Sequence, residues 1–259
     1  MAIRLDDDWD MHPIKGDTGK AYIGYKAEDK VFIKRNTTPM LAALSKEGIT
    51  PKLVWTKRTG DGDTFIAQEW LEGRLLDPEE IGQRNDVIDV LYHLHHSDSL
   101  KDMLKKMGGV VMTPQKMLHN YEEDLPQSIV EHAFLSMVHQ YLTKNIPPFK
   151  ETDQTVVHGD VNYRNWLVSQ NYLYLVDWDS VMFADPAVDI GTILGHYLPV
   201  SSWNHWLMSY GLQGNSENLE KVYWYALLSI LQEVKKYYQR DDLKEMNEEI
   251  LQLKRIYTG

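Results

Sequence analysis

Alternation of apolar and polar residues at a period of two dominates the first seventy positions, and helical spacing dominates most of the remaining chain. Residues 20–25 and 30–34 read as two strands separated by the polar pair Glu28 and Asp29. Thr38 followed by Pro39 marks the start of a helix running to about Lys46 and stopping near Gly48, since proline is tolerated in a first helical turn. Residues 52–57 and 64–70 form a second strand pair around the turn residues 60–63, Gly-Asp-Gly-Asp. Beyond Trp70 the pattern changes. Asp77, Pro78 and Glu80 make a capped helix start with an expected extent to about His96, Thr113 and Pro114 open another helix, and Pro126 opens a third reaching Lys144. Short strands are expected at 155–157, 166–169 and 172–176, the latter two joined across Gln170 and Asn171, and from Asp189 onward the chain reads as helical. The pattern predicts an α+β chain with a small antiparallel-sheet N-lobe (1–70), a hinge near 69–73 and a larger helical C-lobe (71–259).

Composition narrows the possibilities. The 259 residues, 43% hydrophobic and 25% charged, suit one large domain or two small lobes with a sizeable core. With no cysteine, a disulfide framework, a thiolate metal site and a cysteine nucleophile are all excluded, which fits a cytoplasmic setting. No apolar run opens the chain, and the longest apolar stretch, near 222–231, is too short to span a bilayer; neither a signal peptide nor membrane insertion is expected. The net charge of -11 disfavours nucleic acid as a partner, because such binding relies on neutralising phosphates.

The chemistry is concentrated in residues 158–189. His158-Gly159-Asp160, then Asn165, then Val176-Asp177-Trp178-Asp179 set a carboxylate, an amide and a second carboxylate at spacings suited to phosphoryl transfer from a metal-nucleotide complex. That reaction needs a carboxylate to orient the attacking hydroxyl, which Asp160 supplies. It also needs hard oxygen ligands for Mg²⁺, which Asn165 and Asp177 supply. Gly16 and Gly19 bracket a turn whose backbone N–H groups could approach phosphate, although the spacing excludes a Walker-type loop. Lys34 ends an apolar strand and could pair with α/β-phosphates, or be solvated. His93, His95 and His96 invite a metal reading, yet no further ligand cluster accompanies them and a helix end suits histidine without one. Trp203, Trp206, Tyr223, Trp224 and Tyr225 could cage a quaternary ammonium, but core packing is the expected role. Asp185 and Asp189 read as caps, and Asp189 as a brace for the Asp160 loop.

Together with Asp185-Pro186 and Asp189-Ile190, these motifs resemble the aminoglycoside phosphotransferase/choline kinase family. The resemblance implies a protein-kinase-like two-lobed fold and an ATP- and Mg²⁺-dependent enzyme phosphorylating a hydroxyl of a small molecule. By it, Asp160 is the catalytic base, Asn165 and Asp177 hold the metal, Lys34 holds the α/β-phosphates, and Glu69, Trp70 and Leu71 form the hinge whose backbone meets adenine. The short N-lobe and the run from Lys34 to Pro39 resemble, more narrowly, a Gram-positive kinase-like group tied to cell-cycle control, with ribose-type sugars as acceptors and a division-ring protein as partner. Choline or another amino-alcohol and aminoglycosides are the alternative acceptors, and a kinase-like interaction protein acting through its surface is the alternative role. One departure stands out. Kinase-like folds pair the phosphate lysine with a glutamate in the middle of the next helix, and residues 39–44 contain none; Glu47, at the helix end, is the nearest substitute.

Overall fold

The computed structural model describes residues 3–5 (backbone), 9–14 and 20–258; Gly16 and Gly19 lie outside the described residues. The chain divides into two compact units, residues 1–75 with 164–179, and residues 76–163 with 180–259.

The first unit is built on strands β1 (Ile3–Leu5), β2 (Trp9–Pro13), β3 (Ala21–Lys26), β4 (Asp29–Arg35), β5 (Leu53–Arg58) and β6 (Thr64–Glu69), antiparallel in the order β1-β2-β3-β4-β6-β5. Side chains alternate between faces of a strand. Val31 and Ile33 of β4 therefore join Trp9, Met11, Tyr22, Phe65 and Ala67 in one buried cluster, which places Lys34 on the other face of a central strand. The turn between β3 and β4 falls at Ala27 and Glu28, one residue earlier than the polar pair suggested, with Ala27 at φ 51°. Helix α1 (Leu41–Lys46) begins two residues after Pro39, Met40 N–H donating to Thr38 Oγ1 (3.3 Å), and the chain leaves it through Gly48 at φ 73°.

A boundary at residue 70 misses two features of this unit. Strand β7 (Arg74–Leu75) pairs with β9 (Trp166–Ser169), and β9 pairs with β10 (Tyr172–Leu175) around Gln170 and Asn171, both at positive φ as a tight hairpin turn requires. Ser169 Oγ also donates to the Glu72 carbonyl at 2.7 Å, so residues 71–75 and the hairpin group with the N-terminal sheet.

The second unit is helical apart from the antiparallel pair β8 (Thr155–Val157) and β11 (Met182–Ala184). Its helices are α2 (Pro78–Ile81), α3 (Asn85–His96), α4 (Asp98–Lys106), α5 (Pro114–Glu122), α6 (Gln127–Glu131), α7 (Ala133–Lys144), α8 (Ala187–Tyr197), α9 (Val200–Tyr210), α10 (Ser216–Gln239) and α11 (Leu243–Thr258). The capping box of Asp77 and Glu80 forms as expected, but the helix it opens stops at Gly82. Arg84 then pairs bidentately with Asp86 (2.9 and 2.5 Å), and a new helix starts. The helix expected from Pro126 is likewise two, because the His132 ring accepts the Leu135 N–H and caps a fresh start. Helix α4, capped by Ser97, and strand β11 have no counterpart in the sequence reading.

Helix α10 is the unit's central element, packing on α8, α11 and α7 and burying Trp224, Ala226, Leu227, Ile230 and Leu231. Its approach to α8 depends on Gly191, where a Cβ would lie 2.8 Å from Tyr225 Cβ and 2.9 Å from Ala226 N. Gly191→Ala is expected to lose about 1–3 kcal/mol by forcing the helices apart. Chemical denaturation monitored by tryptophan fluorescence measures the loss. Trp203, Trp206, Trp224 and Tyr225 are all buried, with the indole N–H groups of Trp203 and Trp224 on the carbonyls of Leu198 and Leu142, so this cluster is core and not a cage. Among the described residues no helix is long and apolar enough to cross a membrane.

Candidate active site

Lys34 meets Asp177 in the first unit, which also holds Asn165. Lys34 Nζ lies 2.5 Å from Asp177 Oδ1 and 2.9 Å from Asp179 Oδ2, with the lysine side chain 10% exposed and the two aspartates 52% and 39%. The open end of the β9–β10 hairpin brings Asn165 and Asp177 into neighbourhood, since Val176 N–H donates to the Asn165 carbonyl at 2.9 Å. Asn165 is buried. Asp177 holds φ 66°, the left-handed region that aspartate tolerates better than most residues, and Trp178, buried with its indole N–H on the Leu175 carbonyl (2.9 Å), anchors the turn behind it. A strained conformation held this firmly fits a site of function.

Asp179 is the residue the sequence reading left without a role. Its Oδ1 accepts from Thr37 Oγ1 at 3.1 Å while Oδ2 takes Lys34. The two-residue repeat from Asp177 to Asp179 across a short turn was its only signal in sequence. Glu47 sits at the C-terminal end of α1. Glu69 ends β6 and accepts the Lys52 backbone N–H through Oε1 (3.0 Å), the Trp70 ring carries Lys30 Nζ 3.8 Å from its centroid, and Leu71 is partly exposed.

Asp160 lies in the second unit, in a loop held from behind. Asp189, fully buried in α8, accepts the backbone N–H of His158 (Oδ2, 2.8 Å) and of Gly159 (Oδ1, 2.9 Å). The same Oδ2 lies 3.1 Å from His95 Nε2, and because a carboxylate only accepts, Nε2 carries the hydrogen. Tyr210 Oη lies 2.7 Å from the other ring nitrogen. Burial pushes the Asp189 carboxyl up, but the hydrogen bond and electrostatic attraction of His95 and the Gly159 N–H outweigh it and hold the group below its ordinary value. Gly159 has φ 78° with the Ser180 carbonyl 2.8 Å from where a Cβ would stand, so no side chain fits the turn that presents Asp160. Asp160 Oδ1 accepts from Asn162 Nδ2 at 2.6 Å, and its N–H donates to His158 Nδ1 at 3.2 Å. Of the three histidines near the end of α3, His95 enters this network, while His96 is exposed and stacked on Tyr92. Neither Asn162 nor Tyr210 stood out in the sequence.

A sheet unit presenting a paired lysine, and a helical unit presenting an aspartate from a braced His-Gly-Asp loop, are the parts of a protein-kinase-like phosphotransferase. Residues 30–225, well over half the chain, match the model of the phosphotransferase enzyme family, and the chain belongs to that family. It is a phosphotransferase with the protein-kinase-like fold. Choline kinase LicA from Streptococcus pneumoniae is similar at 17% identity over 94% of this chain and 92% of that one, TM-score 0.66. The same enzyme in complex with AMP matches at 17% identity over 98% and 93%, TM-score 0.65. Aminoglycoside 2'-phosphotransferase-IIIa in its GDP complex matches at 15% identity over 95% and 91%, TM-score 0.63.

Proposed function

We propose that this chain transfers the γ-phosphoryl group of ATP to a hydroxyl of a small molecule. The observation that carries the reading is the Lys34–Asp177 pair, which sets a phosphate-binding cation beside a carboxylate suited to a metal. Nucleotide complexes of two structurally similar enzymes support ATP as donor. Asp160 accepts the proton of the attacking hydroxyl as the new O–P bond forms and the bond to the β-phosphate oxygen breaks, releasing ADP. Lys34 takes the α/β-phosphates, and the backbone of Glu69 to Leu71 meets adenine.

The donor set fits Mg²⁺: an amide oxygen and a carboxylate are hard ligands, and the Asp177 carboxylate already binds a cation in the form of the Lys34 ammonium. Asn165 and Asp177 are the residues that hold it. Bound there, Mg²⁺ supplies charge neutralisation for the phosphates.

For the acceptor we propose a ribose-type sugar, on the likeness of the short N-lobe and of the run from Lys34 to Pro39 to the division-linked group, with a role in division control and a division-ring partner at the division site. Choline-type alcohols and aminoglycosides stand as the competing acceptors. In a thermal-shift experiment, saturating Mg-ATP is expected to raise the stability of the wild type by about 2–3 kcal/mol at a hundredfold excess over its dissociation constant. Asp177→Ala is expected to shrink that shift. D-ribose, choline and kanamycin are then compared as acceptors by ADP formation. No shift at millimolar Mg-ATP together with no acceptor-dependent ADP sinks the proposal and leaves the surface role. Division restored in cells by an Asp160→Asn variant points to that surface role as well.

A further inference from the structure

Lys34 presents a problem that the family's reaction makes acute. A phosphate-binding lysine on a four-carbon stem must be held in one place, and helix α1, Leu-Ala-Ala-Leu-Ser-Lys, carries no carboxylate to hold it. Asp177 cannot serve as the permanent partner if it also holds the metal. The remaining group on Lys34 is Asp179. One of its oxygens takes the ammonium at 2.9 Å and the other accepts the Thr37 hydroxyl at 3.1 Å, so the carboxylate is held at both ends.

The run after Lys34 explains why Thr37 is a dependable anchor. Arg35 pairs with Asp63 at 2.5 Å. Asn36, at φ 54°, donates to the same carboxylate (2.7 Å) and accepts the Thr64 N–H (2.9 Å), while Thr38 accepts the Met40 N–H. Four consecutive residues after the lysine are thus tied down by side-chain hydrogen bonds, and Thr37 is the one aimed at the Asp177–Asp179 turn. Trp178, buried between the two aspartates in sequence, keeps both carboxylates on that turn.

We propose that Asp179, fixed by Thr37, is the positioning residue that holds Lys34 for the nucleotide phosphates, in the place of a helix glutamate, leaving Asp177 to exchange its lysine contact for the metal. This role rests on the phosphotransfer reading of the site. The two aspartates then separate by their dependence on metal. Binding of ATP is measured by calorimetry with excess Mg²⁺ and again with EDTA, on the wild type, Asp179→Asn, Thr37→Val, Asp177→Asn and Glu47→Gln. Asp179→Asn is expected to weaken ATP about tenfold under both conditions, because the defect lies in the lysine. Thr37→Val is expected to weaken it about threefold in the same way. Asp177→Asn is expected to weaken ATP only where Mg²⁺ is present, and Glu47→Gln to leave binding unchanged. In turnover, Asp179→Asn raises KM for ATP more than it lowers kcat, a split that general loosening of the fold does not produce. Wild-type affinity in Asp179→Asn, a defect confined to the Mg²⁺ condition, or a defect in Glu47→Gln in its stead each overturns the assignment while the phosphotransfer reading survives. Absence of ATP binding by the wild type overturns both.

Discussion

Asp160→Asn is expected to lower turnover by about 10²–10⁴-fold while changing ATP affinity by less than about twofold. The substitution is chosen because it leaves the loop intact. The amide oxygen can still accept from Asn162, and the backbone N–H still meets His158 Nδ1. What disappears is the basicity that the proposed proton transfer from the attacking hydroxyl requires. Lys34 and Asp177 are untouched, so the Mg-ATP thermal shift should persist at its wild-type size. Initial rates of ADP release measure the first effect and the thermal shift the second. Wild-type turnover in this variant removes Asp160 from the mechanism; loss of the shift as well indicates that the substitution has disturbed more than proton transfer.

The other large effect belongs to a residue that touches no substrate. Asp189→Ala is expected to destabilise the second unit by about 3–5 kcal/mol, the usual consequence of removing one member of a buried charged network. The backbone N–H groups of His158 and Gly159 and the ring of His95 would all lose their acceptor at once. Any protein that folds should also be a poor catalyst, since the turn that presents Asp160 is no longer held. The pH dependence has a definite sign. The Asp189 carboxyl in the folded chain lies below its ordinary value, so its stabilisation is present above the unfolded carboxylate range near pH ~4 and fades as pH falls through the lower folded value. Urea denaturation at pH 7 and along an acid series therefore gives two readings. The variant should be weaker at pH 7 and should lose less further stability than wild type on acidification. Equal acid slopes would mean that Asp189 is not the group being titrated.

The elements that could be read from sequence are those whose causes are local. Gln170 and Asn171 accept positive φ and are flanked by alternating strands, so the β9–β10 hairpin follows from a few adjacent residues. The Asp77–Glu80 capping box is equally local. The same locality explains the misses. Nothing near His132 marks its ring as an N-cap, because histidine rarely fills that place, and the periodicity on either side reads straight through it. Helix α4 starts immediately after α3 ends, so its pattern merges with the helix before it. Strand β11 is three residues long, too short to show a period, and exists because β8 and residues 110–112 supply partners for its backbone.

For the site, the sequence by itself named candidates, without Asp179, Asn162 or Tyr210 among them. His158 to Asp160, Asn165 and Asp177 are close enough along the chain that their spacing carries the chemistry, and Asp189 as a brace followed from its place just inside a helix. The tertiary structure decided the pairings. Lys34 is 143 residues from Asp177, and His95 is 94 from Asp189. With 38 acidic residues available, no local rule selects which carboxylate a given cation will meet. Loop closure over such separations is repaid only by the packing of whole strands and helices, and that packing set Asp177 and Asp179 against Lys34, where the sequence offered only Glu47 at a helix end as a substitute partner.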